Sequence, residues 1–402
     1  MKLDSKSMVI LVLAVALVAL GAYTLGLKQS TTSDGESQVS HAPNSNLPAA
    51  HPPLAETNQT NKKFSHFRVG NRNVKGIAAD DDIVWVGTSG GVIRYELKTD
   101  NYELFDVASG ALLSNGVFHV SKIDKQLFVG TYGGGLSVYT PDQKNWRNYN
   151  IPQGLADQFV YDVQKTKNGD LWIATWSGAN RVNQGKLDDA SAWQTFNLEN
   201  TQGGLPNDWV YAVDEDSKGG LWFATEKGVA HYANGQWNNW QHSHGLGAAY
   251  DIVKDDIRFK SDPSKASSHH ARQREEQGLS NAKGAYNPNY VVSLEVDAED
   301  MVWAATWGGG LARFDGKTWK NFTVKQGLPS NHVFMVKLDQ QKQLWAGTSH
   351  GLVKVNGQGK SFSVMTRKDG LFSDNVFSLA NANDGSMWVG SFGGVARLKD
   401  AM

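Results

Sequence analysis

The chain of 402 residues contains no cysteine, and that single absence removes a set of chemistries. Disulfides, iron–sulfur clusters, thiol nucleophiles and a diacyl-cysteine lipid anchor are all excluded. Neither sign of charge is in excess: 39 Lys and Arg stand against 40 Asp and Glu, so nothing favours nucleic acid or an acidic membrane surface as partner. Catalytic signatures are also missing, with no Gly-x-Ser-x-Gly elbow, no His-Glu-x-x-His pair and no phosphate-binding loop between a strand and a helix. A charge-free apolar run long enough to cross a bilayer of about 30 Å occurs once, at residues 8–27.

What the chain does have is one short phrase written seven times. The copies begin at Val84-Trp85, Leu127-Phe128, Leu171-Trp172, Leu221-Trp222, Val302-Trp303, Leu344-Trp345 and Met387-Trp388. Each runs from an apolar residue and an aromatic through a Gly- or Ala-Thr step (Gly-Ser in the last) to a glycine-containing turn and a second apolar arm. Alternation of large and small residues, with glycine at the turn, predicts a β-hairpin. An apolar run precedes each hairpin and an aromatic pair three apart follows it, giving four strands per unit. The repeat of about 43 residues has the period of a propeller blade and not of a helical array.

Six downstream pairs are present: Tyr102/Phe105, Trp146/Tyr149, Trp193/Phe196, Trp237/Trp240, Trp319/Phe322 and Phe362/Met365. Phe64/Phe67 supplies the seventh from the other end of the chain. The expected fold is therefore all-β, a seven-bladed β-propeller over residues 64–402, closed by an N-terminal outer strand that removes the open sheet edges.

The segments Gly204-Leu205-Pro206-Asn207-Asp208, Gly327-Leu328-Pro329-Ser330-Asn331 and Gly370-Leu371-Phe372-Ser373-Asp374 each lead into a Val-aromatic strand. Together with the Leu-Trp-x-Gly-Thr hairpins they resemble the two-component regulator propeller repeat. The resemblance implies a bacterial, extracytoplasmic sensory propeller, often the outer part of a hybrid histidine kinase, for which carbohydrate is a common signal. Only Asp400, Ala401 and Met402 follow Lys399, so the expectation for this chain is a propeller without a kinase or other output domain.

Lys2 and Lys6 precede the apolar run, which places residues 1–7 in the cytoplasm, residues 8–27 in the inner membrane as a single-pass anchor, and the propeller in the periplasm or outside the cell. A signal peptide cleaved near Ala19-Leu20-Gly21 is the competing reading. Residues 28–63, rich in Ser, Thr, Asn, Gln and Pro, read as a disordered tether.

The phrase aromatics, Trp85, Phe128, Trp172, Trp222, Trp303, Trp345 and Trp388, are expected to pack between blades. Function is sought in the loops at the channel mouth, where Tyr132, Trp176, Trp209, Glu226, Tyr290, Trp307, His332, His350 and Phe392 are the candidates. Flat rings beside hydrogen-bonding groups suit a glycan, a peptide or an envelope protein partner. A solvent-facing turn gives Trp176 and Trp307 no packing reason to be tryptophan. An 81-residue interval separates Trp222 from Trp303, and its excess is read as one insertion at about 246–288, not an eighth blade. Four histidines gather there, His242, His244, His269 and His270, with spacings compatible with Zn²⁺, Cu²⁺ or Ni²⁺ but without an acidic partner. No other cofactor is implied. Catalysis ranks behind binding: the Leu221 to Glu226 stretch is similar to the streptogramin lyase repeat, which implies His332 or His350 with Glu226 as acid and base of a metal-assisted lyase. A scaffold subunit of an envelope complex is the third reading.

Overall fold

The computed structural model describes residues 64–257 and 285–399. The membrane run, the tether, His269 and His270 lie outside these residues. Among the described residues no helix is long and apolar enough to cross a membrane.

The chain folds as an all-β propeller of antiparallel sheets. Why the phrase makes a hairpin is plain in its details. In six copies the threonine is buried and its hydroxyl donates across the turn to a glycine carbonyl, as Thr175 does to Gly178 and Thr225 to Gly228, both at 2.8 Å. Gly178 and Gly228 adopt φ +110° and +113°, and a Cβ at either would meet the carbonyl of Phe196 or Trp240. Only glycine fits there.

The architecture departs from the expected ring of seven separate four-stranded blades. The described residues form five four-stranded sheets and one six-stranded sheet. The cause is the strand Phe64–Asp80, which runs unbroken through two roles. Its first part, Phe64 to Arg68, pairs with Leu398 to Gly394, and its last part, Val74 to Asp80, pairs with Thr88 to Ile83. The strand Met387–Leu398 is likewise continuous, pairing with Val376–Asn381 through its first half and with Phe64–Arg68 through its second. The six-stranded sheet thereby holds the phrases of Trp85 and Trp388, and the two ends of the domain are bonded together.

Seven core clusters share one plan, with a phrase aromatic packed on the inner strands of the following unit. Phe128 packs with Val160 and Val163, Trp172 with Val210 and Val213, Trp222 with Val291 and Leu294, and Trp303 with Val333 and Val336. Trp345 meets Val376 and Leu379, Trp85 meets Val117 and Val120, and Trp388 meets Val74 and Ile77. Burying one such ring stabilises the fold by roughly 3 kcal/mol. Two of these rings are also held by their indole N–H: Asp297 Oδ2 accepts from Trp303 Nε1 at 2.9 Å and Asp339 Oδ2 from Trp345 Nε1 at 2.8 Å. The insertion starts with a small core of its own, Ala248, Val253 and Tyr286, around the short helix Tyr250–Val253.

Candidate ligand-binding channel

Every unit's inner strand carries the same irregularity at its start. Pairing with the second strand skips one residue after the buried valine, a β-bulge, at Lys75, Phe118, Tyr161, Tyr211, Val292, Phe334 and Phe377. A bulge re-aims the unpaired side chain, and at the innermost strand the direction left open is the channel.

Contacts between units confirm that direction. Ring centroids run Phe118 to Tyr161 at 4.9 Å, Tyr161 to Tyr211 at 5.0 Å and Tyr211 to Tyr290 at 5.0 Å. The run continues from Tyr290 to Trp307 at 5.9 Å, Trp307 to Phe334 at 5.7 Å and Phe334 to Phe377 at 5.2 Å. Lys75 closes the arc with its Nζ 4.3 Å above the Phe118 ring. A second tier stands over part of it: Tyr132 on Phe159 at 4.5 Å, Phe159 on Trp176 at 4.8 Å and Trp176 on Trp209 at 4.1 Å.

Below the rings lies a belt of charge from the same strands, two and four residues past the valine. Asp162 Oδ1 meets His119 Nδ1 at 3.1 Å, and its Oδ2 accepts the Val213 amide of the next unit at 2.9 Å. Asp214 Oδ2 accepts the Val296 amide at 2.7 Å, and Ser293 Oγ accepts that of Val336 at 3.2 Å. Glu295 bonds the Leu338 amide in turn. Each side chain thus caps the exposed edge of its neighbour's inner strand. Enclosure dominates the electrostatics: desolvation pushes Asp162 and Asp214 up to about 6 and Glu295 up to about 8, and draws His119 down to about 3. Lys337, in the same belt, is lowered by the same cause. Lys75 is solvent-exposed, yet the protein crowded around its ammonium desolvates it and brings it down to about 8. The phenols of Tyr161, Tyr211 and Tyr290 are pushed well up by burial and remain donors.

The candidates from sequence fall into four groups. Trp176, Trp209, Tyr290, Trp307 and Tyr132 belong to the aromatic tiers, with Tyr132 52% exposed. Trp307 is not in an open turn: it ends the strand Val302–Trp307, is 7% exposed, and is packed by Tyr290, His332 and Phe334. Its tryptophan has a packing reason after all. Glu226 and His332 are fully buried, Glu226 accepting from the Tyr211 hydroxyl at 3.2 Å and His332 Nε2 lying 2.7 Å from the Ala285 carbonyl. His350 is exposed with Nδ1 on Ser349 Oγ at 2.9 Å, and Phe392 is 49% exposed. His242 Nδ1 is 2.8 Å from the Leu246 carbonyl and His244 Nδ1 accepts the Gln241 amide, so both hold the loop. Among the described residues no cluster of three metal-ligating side chains occurs.

Sequence reasoning missed Lys75, Phe118, Tyr161, Tyr211, Phe334 and Phe377, and the charged belt. The signal was a valine followed by one variable residue, read as ordinary strand because a bulge leaves no mark in a period of two.

Comparison with known proteins places this geometry. The family model for the two-component regulator propeller matches residues 154–177, 204–227 and 370–393. Those three segments match the two-component regulator propeller repeat. Over 140 residues it is 28% identical to histidine kinase P4 of Formosa agariphila, a match covering 31% of this chain and 10% of that one. The extracellular domain of the hybrid two-component system BT3049 of B. thetaiotaomicron superposes with TM-score 0.60 at 16% identity, over 83% of this chain and 40% of that one. Virginiamycin B lyase of Staphylococcus aureus, in a complex with quinupristin, superposes with TM-score 0.55 at 10% identity, over 83% and 98%. Both likenesses are of fold. The chain spans less than half the length of the sensor proteins it matches.

Proposed function

We propose that this chain is the ligand-recognising propeller of an extracytoplasmic sensor and that it binds a glycan at the channel mouth. The observation that carries the reading is the unbroken arc of rings from Phe118 to Phe377, one from nearly every unit. Sugar rings present an apolar face edged by hydroxyls, and phenol donors between aromatic faces match both. A peptide adding as a strand would need a free strand edge, and the inner-strand amides of Val213, Val296 and Val336 are already capped. In this reading the six-stranded sheet counts as two blade positions, so the ring has seven, which the seven shared core clusters support. The propeller lies outside the cytoplasm, as the extracellular domains of similar fold do, and residues 8–27 hold it to the inner membrane. The test is isothermal titration of the full-length protein with neutral and acidic oligosaccharides, alongside Tyr161→Ala and Trp176→Ala. Loss of binding with retained folding supports the proposal. Unchanged binding in both variants, with a tight protein partner co-purifying from membranes, sinks it in favour of a scaffold role.

A further inference from the structure

Resting on that reading, we infer that Lys75 is an anion-recognising group within the mouth and that the ligand is an acidic oligosaccharide, with carboxylate or sulfate on its sugar rings. Of the seven bulged positions, six hold aromatics or valine and Lys75 alone is charged; the other charge beside the rings, the buried carboxylate of Glu226, is engaged by the Tyr211 hydroxyl. The Lys75 Nζ rests on Phe118, and among the described residues it has no hydrogen bond or ion pair. Other charged groups in the channel are differently placed. Asp162 is held by His119 and an amide, and Asp214 by two amides.

A partly desolvated ammonium with no counter-charge beside it is held at a cost, and desolvation lowers its pKa accordingly. An anion arriving there relieves it in a medium where Coulomb attraction is several times that in water. A sugar ring lying on Phe118 and Tyr161 would set a ring carboxylate or sulfate against Nζ, while its hydroxyls take the phenols. Lysine acts as a point charge and does not choose between the two anions by shape.

The experiment uses the full-length protein with four probes, tetragalacturonate, a sulfated carrageenan tetrasaccharide, neutral cellotetraose and a tetraglutamate peptide, each titrated at low and at physiological salt. At least one acidic probe is expected to bind about tenfold tighter than cellotetraose, with the margin shrinking as salt rises. Lys75→Gln should remove that margin, bringing the acidic probe down to the affinity of cellotetraose, and Lys75→Arg should keep most of it. Which acidic probe responds tells carboxylate from sulfate. Thermal melts of both variants, matching the parent, show that folding is intact. The inference is overturned if neither acidic probe outbinds cellotetraose, if Lys75→Gln leaves the margin in place, or if a tetraglutamate peptide binds as tightly as the sugars. Tyr161→Ala separates the two proposals. If it abolishes cellotetraose binding while Lys75→Gln changes nothing, the mouth stands and the anion site falls. If Lys75→Gln alone has an effect, the aromatic reading falls instead.

Discussion

Two populations of aromatic ring occupy this propeller, and they follow different rules. The phrase tryptophans sit between units with their partners repeated alongside them: an aspartate six residues upstream for Trp222, Trp303 and Trp345, and a cation over the ring of Trp85, Trp303, Trp345 and Trp388. The mouth rings are joined chiefly ring to ring. They touch one another mostly at tilted and edge-on angles, with Tyr290 and Trp307 stacked, and their identity changes from unit to unit. What recurs with its neighbours holds the ring together, and what varies at a fixed place is where recognition is built.

The sharpest way to break this comparison is to truncate one ring of each kind. Trp303→Ala should cost about 3–5 kcal/mol in unfolding free energy by denaturant titration, because Trp303 is 1% exposed and its site cannot collapse. A loss under 1 kcal/mol would mean that the phrase rings are not the core. Asp297→Ala comes next, at about 1–3 kcal/mol, since it strands the amides of Glu299 and Met301 as well as Trp303 Nε1. Combined with Trp303→Ala its effect should be less than additive.

Acidity probes the belt under the mouth. Asp162 and Asp214 hold their protons more tightly folded than unfolded, so each adds stability that is full below about pH 4 and is lost as pH rises through about 6. His119 acts oppositely: its folded pKa of about 3 costs stability as pH falls below the unfolded value near 6.5. From pH 7 to 5 the parent therefore gains from the carboxylates while losing from the histidine. Asp162→Asn with Asp214→Asn removes the gain, and its melting temperature should drop relative to the parent over that window, by the equivalent of roughly 1 kcal/mol for each carboxylate removed. Parallel pH profiles would show that the belt is in free exchange with bulk water. Smaller still, Trp176→Ala should cost less than about 1 kcal/mol in stability while removing ligand binding, and His350→Ala should stay within about 0.5 kcal/mol.

The repeat, the strand count per unit, the packing role of Trp303 and its kin, and the pairing of Phe64 with the far end were legible because each leaves a periodic trace in the residues. The merged sheet was not, because continuity of Phe64–Asp80 depends on how two pairings share one strand. Nor was the buried state of Trp307, set by Tyr290, His332 and Phe334 from two inner strands. The channel lysine stayed hidden for a related reason: a single extra residue in the ladder turns Lys75 inward, and register is a property of pairs of strands.

That shared strand also has a kinetic meaning. His66 bonds the carbonyl of Gly370 across 304 positions of sequence, so the first strand to leave the ribosome waits for nearly the last. Until then neither edge of the unfinished ring is covered. Closure is a single late event, its loop entropy growing only slowly with chain length. The same seam should be the first place to open, and amides of residues 64–68 should exchange with solvent ahead of every other strand.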